Sequence, residues 1–306
     1  MTAQRQDTAG VSVKLEDLLS VQSRLNGLSL RNFRNLSSLG SSTRRIRMRG
    51  QGMEYEESRA YVVGDDIKIM DWRVMARTGE AHTKVFTEER ERSFMLAVDL
   101  SSSMFFGTRF SFKSWAAAQL AAHIGWLATF SSDRLGGLVV SMDSQYPIRP
   151  GKTRAGLMSL FHRLAESCDV DLPVTTANSR LNLVLRELQQ SVKPGSIIVL
   201  ISDFLGIDAT TPGLLQSLAR HNDMIAFWVH DRSETDQWRA GPYPVNIGGH
   251  KLVLDTTNSN TAKWLGQQQR DHRLQIETLM SRFCIGLRPI SCNRDITSQL
   301  LPYLKY

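Results

Sequence analysis

The chain has 306 residues, 42% of them hydrophobic and 22% charged. That composition excludes a disordered chain and leaves room for one large domain or two smaller ones with a full core. The formal net charge of +7 permits weak attraction to nucleic acid or an anionic membrane and establishes neither. Cys168, Cys284 and Cys292 form no C-x-x-C pair, which argues against a disulfide framework and a cysteine-built zinc site and fits a reducing compartment.

Residues 1–10 are polar and lack the apolar run of a secretory signal. Val13, Leu15, Leu18, Leu19, Val21, Leu25 and Leu28 recur at helical spacing and predict one amphipathic helix between Val11 and Leu30. Residues 31–50 hold Arg31, Arg34, Arg44, Arg45, Arg47 and Arg49 with no acid among them, around a serine- and glycine-rich loop. Residues 1–50 are thus a helix and a basic segment. Residues 51–92 read as a β-rich flank, with Ile67, Ile69, Trp72, Val74, His82 and Val85 in short strands broken at Thr78-Gly79.

From 93 to 306 apolar strands alternate with helices. Strands are expected at Phe94–Val98, Leu135–Ser141, Ser196–Ile201, Met224–Val229, Lys251–Leu254 and Cys284–Pro289. Helices are expected at Ser111–Phe130, Thr153–Glu166, Leu181–Val192, Pro212–His221 and Ala262–Arg282. The alternation predicts an α/β fold, a mostly parallel sheet flanked by helices on both faces. Ala116–Phe130 contains Gln119 and His123 and falls short of the roughly 20 apolar residues of a membrane helix. A cytoplasmic protein is expected.

In such sheets, ligands bind beyond the carboxyl ends of the strands. Two strands run into aspartates there: Asp99, followed by Leu100-Ser101-Ser102-Ser103, and Asp203, after Ser202. Asp99, Ser101 and Ser103 alternate along one loop and can aim three oxygens at one point. Oxygen donors suit a hard cation such as Mg²⁺, which takes six oxygens at roughly 2.0–2.1 Å and keeps several waters. An ion held by hydroxyls and distant carboxylates stays under-neutralised and seeks an anionic ligand on a partner. The competing reading is an ordinary strand-to-helix turn with serine as the helix cap.

Asp-x-Ser-x-Ser with a later Thr and a later Asp resembles the metal-ion-dependent adhesion site of von Willebrand A domains. The resemblance implies a metal set of Asp99, Ser101, Ser103 and Asp203, with Ser179 at the threonine position and Thr175 or Thr176 as alternatives. Serine keeps the hydroxyl but loses the methyl that restricts its rotamer, so Mg²⁺ or Mn²⁺ is expected to bind weakly.

A denser resemblance lies upstream. Arg59-Ala60-Tyr61, Gly64-Asp65-Asp66, Asp71-Trp72-Arg73, Ala76-Arg77 and Glu88-Glu89-Arg90 resemble the bacterial family "domain of unknown function 58". This implies a von Willebrand A-like domain with a small β-rich N-terminal elaboration. It also implies an adaptor or assembly factor partnered by a MoxR-type AAA+ ATPase and other von Willebrand A proteins. Many relatives carry N-terminal membrane helices, and none is read here. The arginines and acids of this segment are expected to pair with one another.

An enzyme is the alternative, a phosphoryl-transfer hydrolase with Asp99 as nucleophile. Such hydrolases place a second aspartate two residues on, where this chain has Ser101. No Gly-x-Ser-x-Gly and no Walker loop occurs, so a binding protein is expected. Nucleic-acid binding through residues 31–50 is disfavoured, because Phe33 is the lone stacking aromatic there.

Overall fold

The computed structural model describes residues 10–25, 53–62, 65–88, 93–130, 134–151, 154–169, 180–235, 240–247 and 250–304. They fall into two compact units, the segment between 53 and 88 and the remainder. The basic residues 31–50 lie outside the described residues.

In the smaller unit, β1 (Met53–Ala60) pairs antiparallel with β2 (His82–Glu88), with a register shift between Tyr55 and Glu57. The chain between them departs from the strands expected there. Ile67–Ile69 is a 3-10 turn and Trp72–Thr78 is a helix, α2. Local chemistry outweighs the alternation of apolar residues. Asp71 caps the first turn by accepting the N–H groups of Arg73 and Val74, each at 3.2 Å. Gly79 closes the last turn at φ 77°, a conformation that favours glycine. The Ser58 hydroxyl donates to the other Asp71 oxygen at 2.7 Å and ties the helix start to β1. Of the expected charge network, Arg59 pairs with Asp65 at 2.6 Å. Arg73 and Arg77 are exposed, and the side chains of Glu54, Glu56, Glu57, Glu88, Glu89 and Arg90 lie outside those described.

The larger unit is built on β3 (Ser93–Asp99), β4 (Arg134–Val140), β5 (Gln145–Gly151), β6 (Ile197–Ser202), β7 (Asp223–His230) and β10 (Gly286–Ser291). They form one sheet in the order β10-β7-β6-β3-β4-β5. All neighbours are parallel except β4 and β5. β5 escaped the sequence reading because Pro147 and Pro150 interrupt it, and proline is tolerated only where a strand lies at the sheet edge. A separate antiparallel hairpin, β8 (Pro242–Ile247) with β9 (His250–Asp255), precedes β10.

Strand side chains alternate between two cores. Phe94, Leu96 and Val98 face one, with α1 (Leu15–Arg24), α3 (Lys113–Phe130), α4 (Arg154–Ser167) and α8 (Ile296–Leu304). Met95 and Ala97 face the other, with α5 (Leu181–Ser191), α6 (Thr211–His221) and α7 (Ser259–Arg282). The N-terminal helix α1 therefore belongs to this unit. Leu18 and Val21 are fully buried, and the Trp126 indole N–H donates to the Leu18 carbonyl at 3.1 Å. Burying a leucine or valine side chain contributes about 1.5–3 kcal/mol. α3 is buried on nearly every side, which explains its lack of a polar face. No helix among the described residues is long and apolar enough to cross a membrane.

The chain builds β3 first, adds β4 and β5 on one side, then returns to place β6, β7 and β10 on the other. The order reverses between β3 and β6. Connections leave those two strands in opposite directions and open a crevice at their carboxyl ends.

Candidate functional site

Asp99 ends β3 and Asp203 follows β6, so both carboxylates lie at that crevice. Asp99 is fully buried. Its Oδ1 accepts the Ser101 N–H at 3.0 Å, and its Oδ2 accepts the Ser202 hydroxyl at 2.8 Å. Ser202 in turn receives the Phe204 N–H at 3.0 Å. Phe204 holds φ 57°, a left-handed backbone that an aromatic side chain rarely adopts, and its ring is fully buried in the second core. This turn carries Asp203, whose Oδ1 accepts the Leu205 N–H at 3.0 Å. The Ser101 and Ser103 hydroxyl oxygens lie 3.4 Å apart, and the Ser103 hydroxyl is among the groups that favour the ionised Asp203 carboxyl.

The fold thus brings four expected residues, Asp99, Ser101, Ser103 and Asp203, into one polar cluster. Ser179, Thr175 and Thr176 lie outside the described residues. Among the described residues, no three or more His, Cys, Asp or Glu side chains are grouped to hold a metal. The cluster offers two carboxylates and two hydroxyls instead, an all-oxygen donor set that fits a hard cation. The Ser102 hydroxyl oxygen beside them is buried and has no hydrogen-bond partner.

Charge in the cluster is unbalanced. Burial and the neighbouring Asp203 raise the Asp99 pKa to about 6, against the bonds from Ser202 and Ser101. Burial also opposes ionisation of Asp203, but Lys113 overcomes it and holds that carboxyl below its ordinary value.

Lys113 was missed by the sequence reading. Its side chain is 1% exposed, and its Nζ donates to Asp203 Oδ2 at 2.9 Å and Glu234 Oε1 at 2.7 Å. Burial disfavours its charge, yet the two acids outweigh burial and raise its pKa. One signal for it exists in the sequence: Lys113 is the single Lys or Arg between Arg109 and Arg134, at the head of an apolar, alanine-rich helix.

A second carboxylate network sits beside this one. Asp231, fully buried at the end of β7, caps the 3-10 turn Arg232–Glu234 by accepting the Ser233 N–H at 2.8 Å. Glu234 Oε2 accepts the Asp231 N–H at 2.8 Å, completing a capping box. Glu234 therefore links this turn to Lys113.

The connection from β3 to α3 runs over the site and is pinned at several points. Asp231 accepts from Thr108, the Ser111 hydroxyl donates to the Cys292 carbonyl at 2.8 Å, and the Phe112 N–H donates to the Gly10 carbonyl at 2.8 Å. Met104 is buried, as its apolar character suggests, but Phe106 is 39% and Phe110 60% exposed. With Leu205, at 37%, they give the loops around the cluster an apolar surface.

Several known proteins are similar to this chain. Uncharacterized proteins of Mycobacterium tuberculosis and Mycobacterium bovis are each 32% identical over 192 residues, 61% of this chain and 58% of theirs. The chain thus matches a little over half the length of those curated relatives. Similar solved structures include the conserved hypothetical protein BatB from Bacteroides thetaiotaomicron, with 11% identity and a TM-score of 0.43, covering 69% of this chain and 95% of that one. The SpRpn10 VWA domain is similar with 14% identity and a TM-score of 0.41, covering 69% and 94%. The family described as "Protein of unknown function DUF58" matches residues 57–275. That span includes the smaller unit's capped helix, the Asp99 loop, Lys113 and Asp203, and the chain, whose larger unit is an α/β domain on a mostly parallel sheet, belongs to the DUF58 family.

Proposed function

We propose that the larger unit is a divalent-metal-dependent protein-binding module, an adaptor or assembly factor for a MoxR-type AAA+ ATPase. The observation that carries the binding role is the convergence of Asp99, Ser101, Ser103 and Asp203 at the reversal of strand order, on connections that also carry exposed Phe106, Phe110 and Leu205. Buried acids that repel one another, with hydroxyls beside them, favour a hard ion, Mg²⁺ or Mn²⁺. Such an ion supplies a Lewis-acidic point for an acidic side chain of a partner. Ser179, Thr175 or Thr176 is the candidate for a further hydroxyl. The apolar side chains flank that contact, and exposed aromatics are the residue types on which interfaces depend. The ATPase, and other von Willebrand A proteins as further partners, come from the family resemblance.

Hydrolysis with Asp99 as nucleophile is less well supported. Asp99 is fully buried and both its oxygens are engaged, while Ser101 stands where such an enzyme needs an acid.

The test is capture of partners by the full chain from its native lysate, with and without Mg²⁺ and ATP. An AAA+ ATPase retained only with Mg²⁺, and lost with Asp99→Ala or Phe110→Ser, supports the reading. A prey list indifferent to Mg²⁺ and Asp99 overturns it.

A further inference from the structure

We propose that Lys113 is the resident cation of this site, an internal counter-ion that keeps the acidic cluster assembled without metal and against which a divalent ion must bind. The inference rests on the metal-binding reading above and concerns how that binding is regulated.

The placement of Lys113 is costly unless its charge is needed there. It is the first residue of α3, where the helix dipole disfavours a cation. Its side chain is as buried as the surrounding core, and a buried ammonium requires paired charge. Both requirements are met by residues far along the chain, Asp203 and Glu234, 90 and 121 positions away. The Phe106 ring adds a third contact, with its centroid 5.8 Å from Nζ, within cation–π range. Two carboxylates and an aromatic face form a cage for a cation, and the chain fills it itself.

Asp203 is shared between this cage and the metal donor set. Its Oδ2 is held by Lys113 and its Oδ1 by the Leu205 N–H. A divalent ion using Asp203 must displace the ammonium or bind beside it against like-charge repulsion. Asp99, Asp203 and Glu234 with Lys113 carry a formal charge of −2, so some attraction for a divalent ion remains. Lys113 sets how much metal is needed to overcome the internal pairing.

The experiment is a Mn²⁺ titration of the full chain, followed by the electron paramagnetic resonance signal of free Mn²⁺. It compares wild type, Lys113→Met and the double variant Lys113→Met/Glu234→Gln. The double variant keeps the formal charge at −2 while vacating the ammonium, so it separates occupancy from net charge and leaves one fewer acid uncompensated. We expect it to bind Mn²⁺ at least about tenfold tighter than wild type, because the ion no longer has to displace an ammonium from Asp203 Oδ2. Binding by the double variant with none by wild type supports the counter-ion and overturns metal binding by the native site. Equal affinity overturns the counter-ion and leaves the metal reading intact. No binding by any form at millimolar Mn²⁺ overturns both. Lys113→Met alone is followed by its melting temperature. Recovery by Mn²⁺ of a fold lost in its absence supports the inference, and a loss that Mn²⁺ does not recover counts against it.

Discussion

Asp231 receives both the backbone N–H and the hydroxyl of Thr108, at 3.0 and 2.8 Å, across 123 residues of sequence. Cys292 Sγ at 3.3 Å and Asn293 Nδ2 at 3.0 Å donate to the same carboxylate. One buried acid thus joins the loop above the candidate site, the end of β7 and the turn after β10. Burial opposes its charge, but the donors, Ser233 and Thr108 foremost, hold its pKa well below the ordinary carboxylate range.

Asp231→Ala is expected to be among the more damaging single changes in the larger unit. It orphans several buried donors, each costing about 1–3 kcal/mol, part of which water recovers. A net loss of roughly 3 kcal/mol corresponds to a fall of about 6–12 °C in Tm. Because the folded pKa lies below the unfolded one, the stability Asp231 contributes is complete above the ordinary value of 3.8. It declines as pH falls toward the depressed folded value. Thermal melts of wild type and variant should therefore differ most at neutral pH and converge in acid.

Asp99 has the opposite sign. Its folded pKa is raised from 3.8 to about 6, so the native state holds a proton that the unfolded chain has lost. Ionised Asp99 therefore destabilises the fold above about pH 6, and the cost disappears as pH falls to 3.8. Asp99→Asn should stabilise the metal-free protein by about 1–2 kcal/mol at neutral pH, less than the full shift because the Ser202 hydroxyl loses a charged acceptor. Chelated samples melted at pH 7.5 and pH 4 check this. A variant gain at both pH values would contradict it.

Metal addition should reverse that order. A ligand that binds only the folded state raises stability by about 2.7 kcal/mol at a concentration one hundred times its Kd. Wild type is expected to gain melting temperature with Mg²⁺ or Mn²⁺, whereas Asp99→Ala and Asp203→Ala should gain none. Calorimetric melts with and without the ion measure the difference.

Gly136 marks a close approach between strands. A Cβ there would lie 2.8 Å from Pro150 Cγ, 3.0 Å from the Ile148 carbonyl oxygen and 3.0 Å from Met95 Sδ. The pairing of β4 and β5 is irregular at the same place, between Leu135 and Gly137. The carbonyl cannot yield without moving β5, so Gly136→Ala should cost about 1–3 kcal/mol, read as a lower denaturation midpoint with an unchanged slope.

In the smaller unit, Asp71→Ala removes the α2 cap and the acceptor of the Ser58 hydroxyl. A lost N-cap costs about 1 kcal/mol. Amide exchange should accelerate in Trp72–Thr78 and leave β3 and β6 unchanged. Equal acceleration in both units would show that the cap's effect is not local.

Much of the sheet was legible before folding. Phe94–Val98 and Ile197–Ile201 are continuous apolar runs because a central parallel strand is buried on both faces. Of the edge strands, β9 and β10 were legible, and β5 and β8 were not. β5 carries two prolines, and β8 pairs, among the described residues, with β9 alone, so neither shows the buried run. α2 hid behind an apparent alternation, although Asp71 and Gly79 already marked its two ends.

By itself, the sequence determined the alternation of strands and helices and the Asp-x-Ser-x-Ser loop at a strand end, because burial and turn chemistry act over a few neighbouring residues. It also held the family's upstream motif. Only the tertiary structure decided what surrounds that loop. Lys113 meets Asp203 and Glu234, and Thr108 meets Asp231, across separations of 90 to 123 residues. Side chains so distant in sequence are neighbours only because parallel strands bring their carboxyl ends to one edge of the sheet. Low solvent exposure there makes each charge depend on its partner.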